Sequence, residues 1–323
     1  MNLSKMRFGR LIAALSVGLL LVLALPAAAQ PAAVEFDLGE TTIVQARFPE
    51  DSRFRNMPVP LRGLIAVPEG EGPFPVAVIV HGAYTFCTAD LVNHVDPFPC
   101  PDEHDLRQYR GFGYLAEALA ARGYLTIVPD LSQEYSNGFG EPTEGERTVQ
   151  MVMQHLDRLA VGDGYPMDLT GMADSAQVVL AGHSRGGFMV LKANEQRVAE
   201  GFPPASAVAM LMPAAGWVDI PVDLPIALVT ATCDGDLGSI DDGVGTLDSV
   251  FWLARLDPFR PALTVKYTLS GGTHNAISPQ LRADPFPVCE PEERLDDQVQ
   301  RDWFTSFLPG FFDLALSVPP QAS

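Results

Sequence analysis

The chain has 323 residues, 47% of them hydrophobic and 19% charged; this is the make-up of a globular protein with a sizeable core and excludes a disordered one. A formal charge of −19 repels phosphate backbones and anionic membrane surfaces, so nucleic acid is excluded as a partner. Beyond that, the charge marks a solvated acidic surface and says little about chemistry.

The first thirty residues read separately. Lys5, Arg7 and Arg10 make a basic start, Leu11 to Leu25 is an apolar run, and Ala27-Ala28-Ala29 offers small residues for cleavage. This predicts a signal peptide over 1–29, cut before Gln30, and an exported protein, secreted or periplasmic, with no stable membrane span afterwards. An uncleaved anchor is the alternative, since the run approaches bilayer length; Pro26 followed by small residues favours cleavage. No Cys follows the run, so lipid attachment is not expected.

Residues 30–323 are expected to form one domain. Thr41 to Phe48 and Leu61 to Val67 have the short apolar runs and polar breaks of antiparallel strands, ending in a Pro/Gly-rich turn over 68–75. From there strands alternate with helices. Strands are predicted at Val76 to Val80, Leu125 to Val128, Gln177 to Ala181, Ala207 to Met212, Ile226 to Ala231 and Leu263 to Leu269. Helices are predicted at Tyr114 to Ala121, closed by Gly123, at Thr148 to Leu159, and from Gly186 to Gln196. A last amphipathic helix runs from Asp297 to about Leu316, with Pro309-Gly310 as the place where it could break. Such alternation implies an α/β architecture with a mostly parallel central sheet and helices on both faces. The segment from Ala83 to Gly111 is long for a strand-to-helix connection and reads as an inserted lid or rim, or as a plain surface loop.

Four cysteines in an exported chain suggest two disulfides, for which three pairings exist. Cys87 and Cys100 bracket a Pro-rich stretch of the insert, and Cys233 and Cys289 lie in two later loops. That order favours Cys87–Cys100 and Cys233–Cys289. No Cys-x-x-Cys or Cys-His cluster stands at zinc spacing. His94, Asp96 and His104 are irregularly spaced and read as surface residues, so neither a metal nor a cofactor is expected.

The string Val178 to Gly187 carries the most specific signal: an apolar strand runs into Gly182-His183-Ser184-Arg185-Gly186 and then into a helix. A serine nucleophile needs its hydroxyl on a tight strand-to-helix turn, and glycines two before and two after permit that turn. Without the flanking strand and helix, the same letters would mark only a Gly-rich turn. A serine hydroxyl also needs a histidine base and a carboxylate to orient it. His274 is the one histidine downstream of Ser184, directly after the last predicted strand. The acid is sought after Ile226 to Ala231, where Asp234 and Asp236 are both present; Asp234, first in the loop and beside Cys233, is preferred. Acyl transfer further needs two backbone N–H groups aimed at the developing oxyanion. Arg185 supplies one, and Ala83, or secondarily Tyr84, the other, after His81-Gly82. His81 itself precedes the nucleophile and reads as a packing residue. Tyr84, Phe86 and Phe98 either line an apolar acyl pocket or fill a small core under the insert.

Taken together, these strings resemble those of the secreted bacterial α/β-hydrolases of the lipase, cutinase and chlorophyllase-like group. The likeness runs from about Arg62 onward and rests on His81-Gly82, Cys87, the stretch 98–101, the stretch 111–116, Gly182 to Gly187, Cys233 to Asp236 and Gly272 to Asn275. It implies the α/β-hydrolase fold and a serine esterase that works through an acyl-enzyme without a cofactor, on a small-molecule or polymeric ester. A peptidase or amidase with the same triad, and a non-catalytic binding module on the same fold, are the alternatives.

Overall fold

In the computed structural model, the described residues are 31–52, 55–84, 86–88, 100–132, 143–214, 220–235, 262–282 and 288–317. The leader, the tip of the insert with His94, Asp96 and Phe98, and Asp236 lie outside them.

Eight strands form one sheet in the order β1-β2-β4-β3-β5-β6-β7-β8. The first two, β1 (Val34–Val44) and β2 (Asn56–Ala66), form an antiparallel hairpin, and β2 also runs antiparallel to β4 (Leu125–Pro129). From β4 onward the pairing is parallel, through β3 (Phe74–Val80), β5 (Ala173–His183), β6 (Ala207–Leu211), β7 (Ile226–Ala231) and β8 (Thr264–Leu269). The expected mostly parallel sheet with helices on both faces is therefore present.

Residue alternation along the central strands divides the core in two. Val76, Val78, Val80, Val178, Leu180, Met210 and Leu228 face helices α2 (Thr143–Val161) and α3 (Gly186–Ala199). Ala77, Ile79, Val179, Ala181, Ala209 and Val229 face α1 (Gly113–Ala120) and α4 (Asp297–Ser317). The second face is rich in alanine, which leaves room for Phe304, Phe311 and Phe312 of α4 to lie close to the sheet. Both faces being covered explains why these strands read as unbroken apolar runs.

Several boundaries differ from the sequence reading; β2 and α2 each begin five residues before the predicted start, at Asn56 and Thr143. Strand β1 begins at Val34, seven residues before the predicted start, because the register from Val34↔Ile65 to Val44↔Asn56 is set by hairpin hydrogen bonds. Only Phe36 and Ile43 of that strand are buried, so its apolar signal is weak. Strand β5 starts four residues early, where Ala173 and Asp174 pair with Phe74 and Pro75. Helix α4 runs unbroken through Pro309. An interior proline costs a helix about 3 kcal/mol; burial of Phe304, Leu308, Phe311, Phe312 and Ala315 along one face outweighs it.

The two ends of the insert are tied to the body. Cys87 pairs across from Asp105 as an isolated antiparallel bridge, and the Cys87–Cys100 disulfide closes the segment. Asp105 and Asp130, at the end of β4, both take the buried Arg62 guanidinium, with Arg62 Nε donating to Asp130 Oδ2 at 2.8 Å. The two carboxylates hold the Arg62 pKa above its ordinary value, against the opposing effect of burial.

Candidate active site

Four loops meet beyond the C-terminal ends of β3, β5, β7 and β8, the edge where open α/β sheets present their ligands. Strand β5 ends at His183 and α3 starts at Gly186, so only Ser184 and Arg185 make the turn. Ser184 has φ of 55°, a left-handed conformation that a residue with a Cβ keeps only where its surroundings impose it. The imposing bonds are visible. Ser184 N–H donates to the Leu211 carbonyl at 3.1 Å, and the Ser184 carbonyl accepts from Gly187 and Ala214, both at 3.0 Å. A Cβ at Gly182 would stand 2.1 Å from the Gly186 oxygen, and one at Gly186 would stand 2.4 Å from the Val80 oxygen. The glycine spacing thus follows from the backbone crossing itself near a turn that leaves Ser184 6% exposed.

After β8 the chain turns through Ser270 to Thr273 into His274, and after β7 it turns into Asp234. His274 Nδ1 donates to Asp234 Oδ2 at 2.8 Å, both groups being buried. Cys233 N–H donates to the Gly272 carbonyl at 2.9 Å, fastening one loop directly to the other. The Cys233–Cys289 disulfide, with Cα atoms 5.2 Å apart, carries the same tie onward to the segment before α4. Gln300, on the first turn of α4 and fully buried, clamps Thr273 from both sides. Its Oε1 accepts from Thr273 N–H at 3.0 Å and its Nε2 donates to the Thr273 carbonyl at 2.7 Å. Tyr114 of α1 donates its hydroxyl to the Ile277 carbonyl at 2.8 Å on the far side of the loop.

The loop after β3 is held by His81. Its Nε2 accepts from Leu131 N–H at 3.0 Å and its Nδ1 donates to the Gly82 carbonyl at 2.8 Å, which assigns one tautomer of a neutral ring. Burial pushes its pKa below the ordinary histidine value. This is the packing role expected for it, and it sets where Gly82, Ala83 and Tyr84 lie. Gly82 is in close contact with the turn: a Cβ there would be 2.6 Å from Ser184 Cβ.

Of the remaining sequence candidates, Arg185 stands at the entry of α3 with its side chain exposed, and Ala83 is half-buried beside Gly82. Phe86 is buried against the Cys87–Cys100 disulfide and fills the small core under the insert. His104 meets Thr88 at an exposed position. Two parts of the site carry no distinctive local signal: Gln300, which reads as one polar position on an amphipathic helix, and His183, which reads as a spacer in the serine motif. The His183 ring packs against that of His274, with centroids 4.6 Å apart, and so brings His274 alongside the serine turn.

No protein-family model matches the chain, and no curated protein sequence matches it. Solved structures do. An esterase from Pyrobaculum calidifontis is similar with a TM-score of 0.53 and 13% identity, over 89% of this chain and 87% of that one. A second structure of the esterase from that archaeon gives 0.51 and 14%, over 89% and 88%. A dienelactone hydrolase-like promiscuous phosphotriesterase from metagenomic libraries gives 0.51 and 12%, over 88% and 99%. At these identities the likeness establishes the fold, and the chain has the α/β-hydrolase fold.

Proposed function

We propose that the protein is an exported serine hydrolase that cleaves carboxylic esters. Residues 1–29 are its leader and 30–323 one catalytic domain, akin to the lipase, cutinase and chlorophyllase-like enzymes. The observation that carries this reading is a left-handed Ser184 on the β5–α3 turn, joined through the packed His183 and His274 rings to a buried His274–Asp234 pair. Solved esterases sharing the fold support it. Two disulfides support export; among the described residues no helix is long and apolar enough to cross a membrane.

In this reading Ser184 Oγ attacks the ester carbonyl carbon while His274 Nε2 takes its proton. Asp234 holds the ring by Nδ1 and stabilises the imidazolium that forms. The carbonyl oxygen becomes an oxyanion received by the N–H groups of Ala83 and Arg185, the latter at the positive end of the α3 dipole. Collapse of the tetrahedral intermediate breaks the bond to the alcohol oxygen, which leaves with the proton from His274. Water, deprotonated by the same histidine, then attacks the acyl carbon; the bond to Ser184 Oγ breaks, His274 returns its proton to that oxygen, and the acid is released.

Hydrolysis of p-nitrophenyl esters from acetate to palmitate by the mature chain, beside Ser184→Ala, tests the proposal. The expected outcome is turnover by the wild type that falls by at least about 10³-fold in the variant, as loss of a triad nucleophile demands. Equal rates in both proteins would remove Ser184 from the mechanism, and cleavage of anilides in preference to esters would make the enzyme an amidase.

A further inference from the structure

His183 lies between Gly182 and Ser184, yet its side chain is the meeting point of three loops. Strand alternation sends it to the same sheet face as Val179 and Ala181, and its pairing with Leu211 of β6 holds its backbone there. The ring is fully buried. It packs on His274 at 4.6 Å with planes inclined by 44°, on Tyr84 at 5.9 Å with planes inclined by 27°, and beside Phe112 at 6.2 Å. Tyr84 in turn stacks on His81 at 6.0 Å, and its hydroxyl is hydrogen-bonded to His183 Nδ1. A Cβ at Gly82 would lie 2.9 Å from the Tyr84 hydroxyl oxygen and 2.6 Å from Ser184 Cβ, so the phenol end and the serine flank the same small volume.

From this geometry we infer that Tyr84 and His183 are positioning residues: the Tyr84 hydroxyl donates to His183 Nδ1, and the ring so held sets the plane of the His274 imidazole packed against it. The inference rests on the proposed role of His274 as base. A base that becomes cationic needs a neutral neighbour at this distance. Burial, reinforced by the charge of His274, holds the His183 pKa well below the ordinary histidine value. A neutral imidazole has one lone-pair nitrogen and one N–H, so a hydroxyl donor at Nδ1 leaves the proton on Nε2 and the ring in a single tautomer. One tautomer in one orientation gives His274 a rigid wall, and an error of about 1 Å in the placement of a catalytic group costs on the order of 10²-fold in rate.

The test measures kcat, KM and melting temperature for the wild type, Tyr84→Phe, His183→Phe and the double variant on the best p-nitrophenyl ester. Tyr84→Phe removes one hydroxyl and leaves the ring stack and backbone N–H in place. Each single variant is expected to lower kcat by about tenfold with KM within about twofold and the melting temperature lower by only a few degrees, and the double variant to fall no further than the more impaired single one. A Tyr84→Phe enzyme with wild-type kcat overturns the inference. So do losses that multiply in the double variant, which mean independent roles, or a loss carried by KM, which makes Tyr84 a wall of the substrate pocket. If His183→Phe does not fold, Tyr84→Phe decides alone. A wild type that hydrolyses no ester would sink the proposed function and this inference with it, whereas an active wild type with an unaffected Tyr84→Phe sinks only the inference.

Discussion

Gln300 holds the loop that carries His274 from a neighbouring helix. Its amide makes both hydrogen bonds of the Thr273 peptide group and is itself fully buried, so nothing from solvent replaces it easily. Gln300→Ala leaves a buried N–H and C=O without these partners, a cost of about 1–3 kcal/mol. Urea unfolding is expected to show that loss, and ester hydrolysis to show a lower kcat, because Thr273 immediately precedes His274. A Gln300→Ala enzyme with full stability and full kcat would mean that the loop is held by Tyr114 and the disulfide alone. Residue roles of this kind were only partly legible. Gly182, Ser184 and Gly186 announce themselves because their pattern occupies only five consecutive residues, although Val80 and Leu211 also press on the turn they make. Gln300 acts on a residue 27 positions away and Tyr84 on one 99 away, and no local pattern carries either contact.

Among the elements, the two loops that carry Asp234 and His274 depend on a covalent tie. The Cys233–Cys289 bond closes a separation of 56 residues, for which the loop-entropy model gives about 4 kcal/mol. Replacing both cysteines by serine should lower the denaturation midpoint accordingly and reduce the proposed ester turnover, as the loop that carries Asp234 loses its anchor to the segment before α4. Reduced stability with unchanged kcat would show that the Cys233 N–H to Gly272 hydrogen bond is enough to hold Asp234 in place. Helix α4 makes the related point about packing. Its Pro309 is a local stop signal, and the helix continues because five apolar side chains on one face find the alanine-rich side of the sheet. The tertiary surface that overrides the signal is built from strands more than seventy residues earlier in the chain.

For the molecule as a whole, acid should be the effective denaturant. His155 of α2 is fully buried beside Phe36, with neither ring nitrogen finding a hydrogen-bond partner among the described residues, and burial pushes its pKa down to about 3. Because the folded value lies below the unfolded 6.5, the unfolded chain binds the proton first. The stabilising effect is therefore complete above pH 6.5 and is lost as pH falls from 6.5 towards 3, at up to about 1.4 kcal/mol per pH unit. Denaturant unfolding at pH 7 and pH 5 should show His155→Phe losing about 2 kcal/mol less than the wild type over that interval; equal losses would mean that His155 does not titrate on unfolding. The amino-acid sequence by itself determined the order of strands and helices, the mostly parallel sheet they imply, and the serine turn, since apolar runs and glycine spacing act over a few residues. Only the tertiary structure decided where β1 and β5 begin, that α4 passes Pro309, that Asp234 meets His274, and that the rings of Tyr84, His183 and His274 pack together. Those outcomes depend on which distant segments the sheet order places side by side, and that order comes from the burial of whole faces rather than from any stretch of the chain.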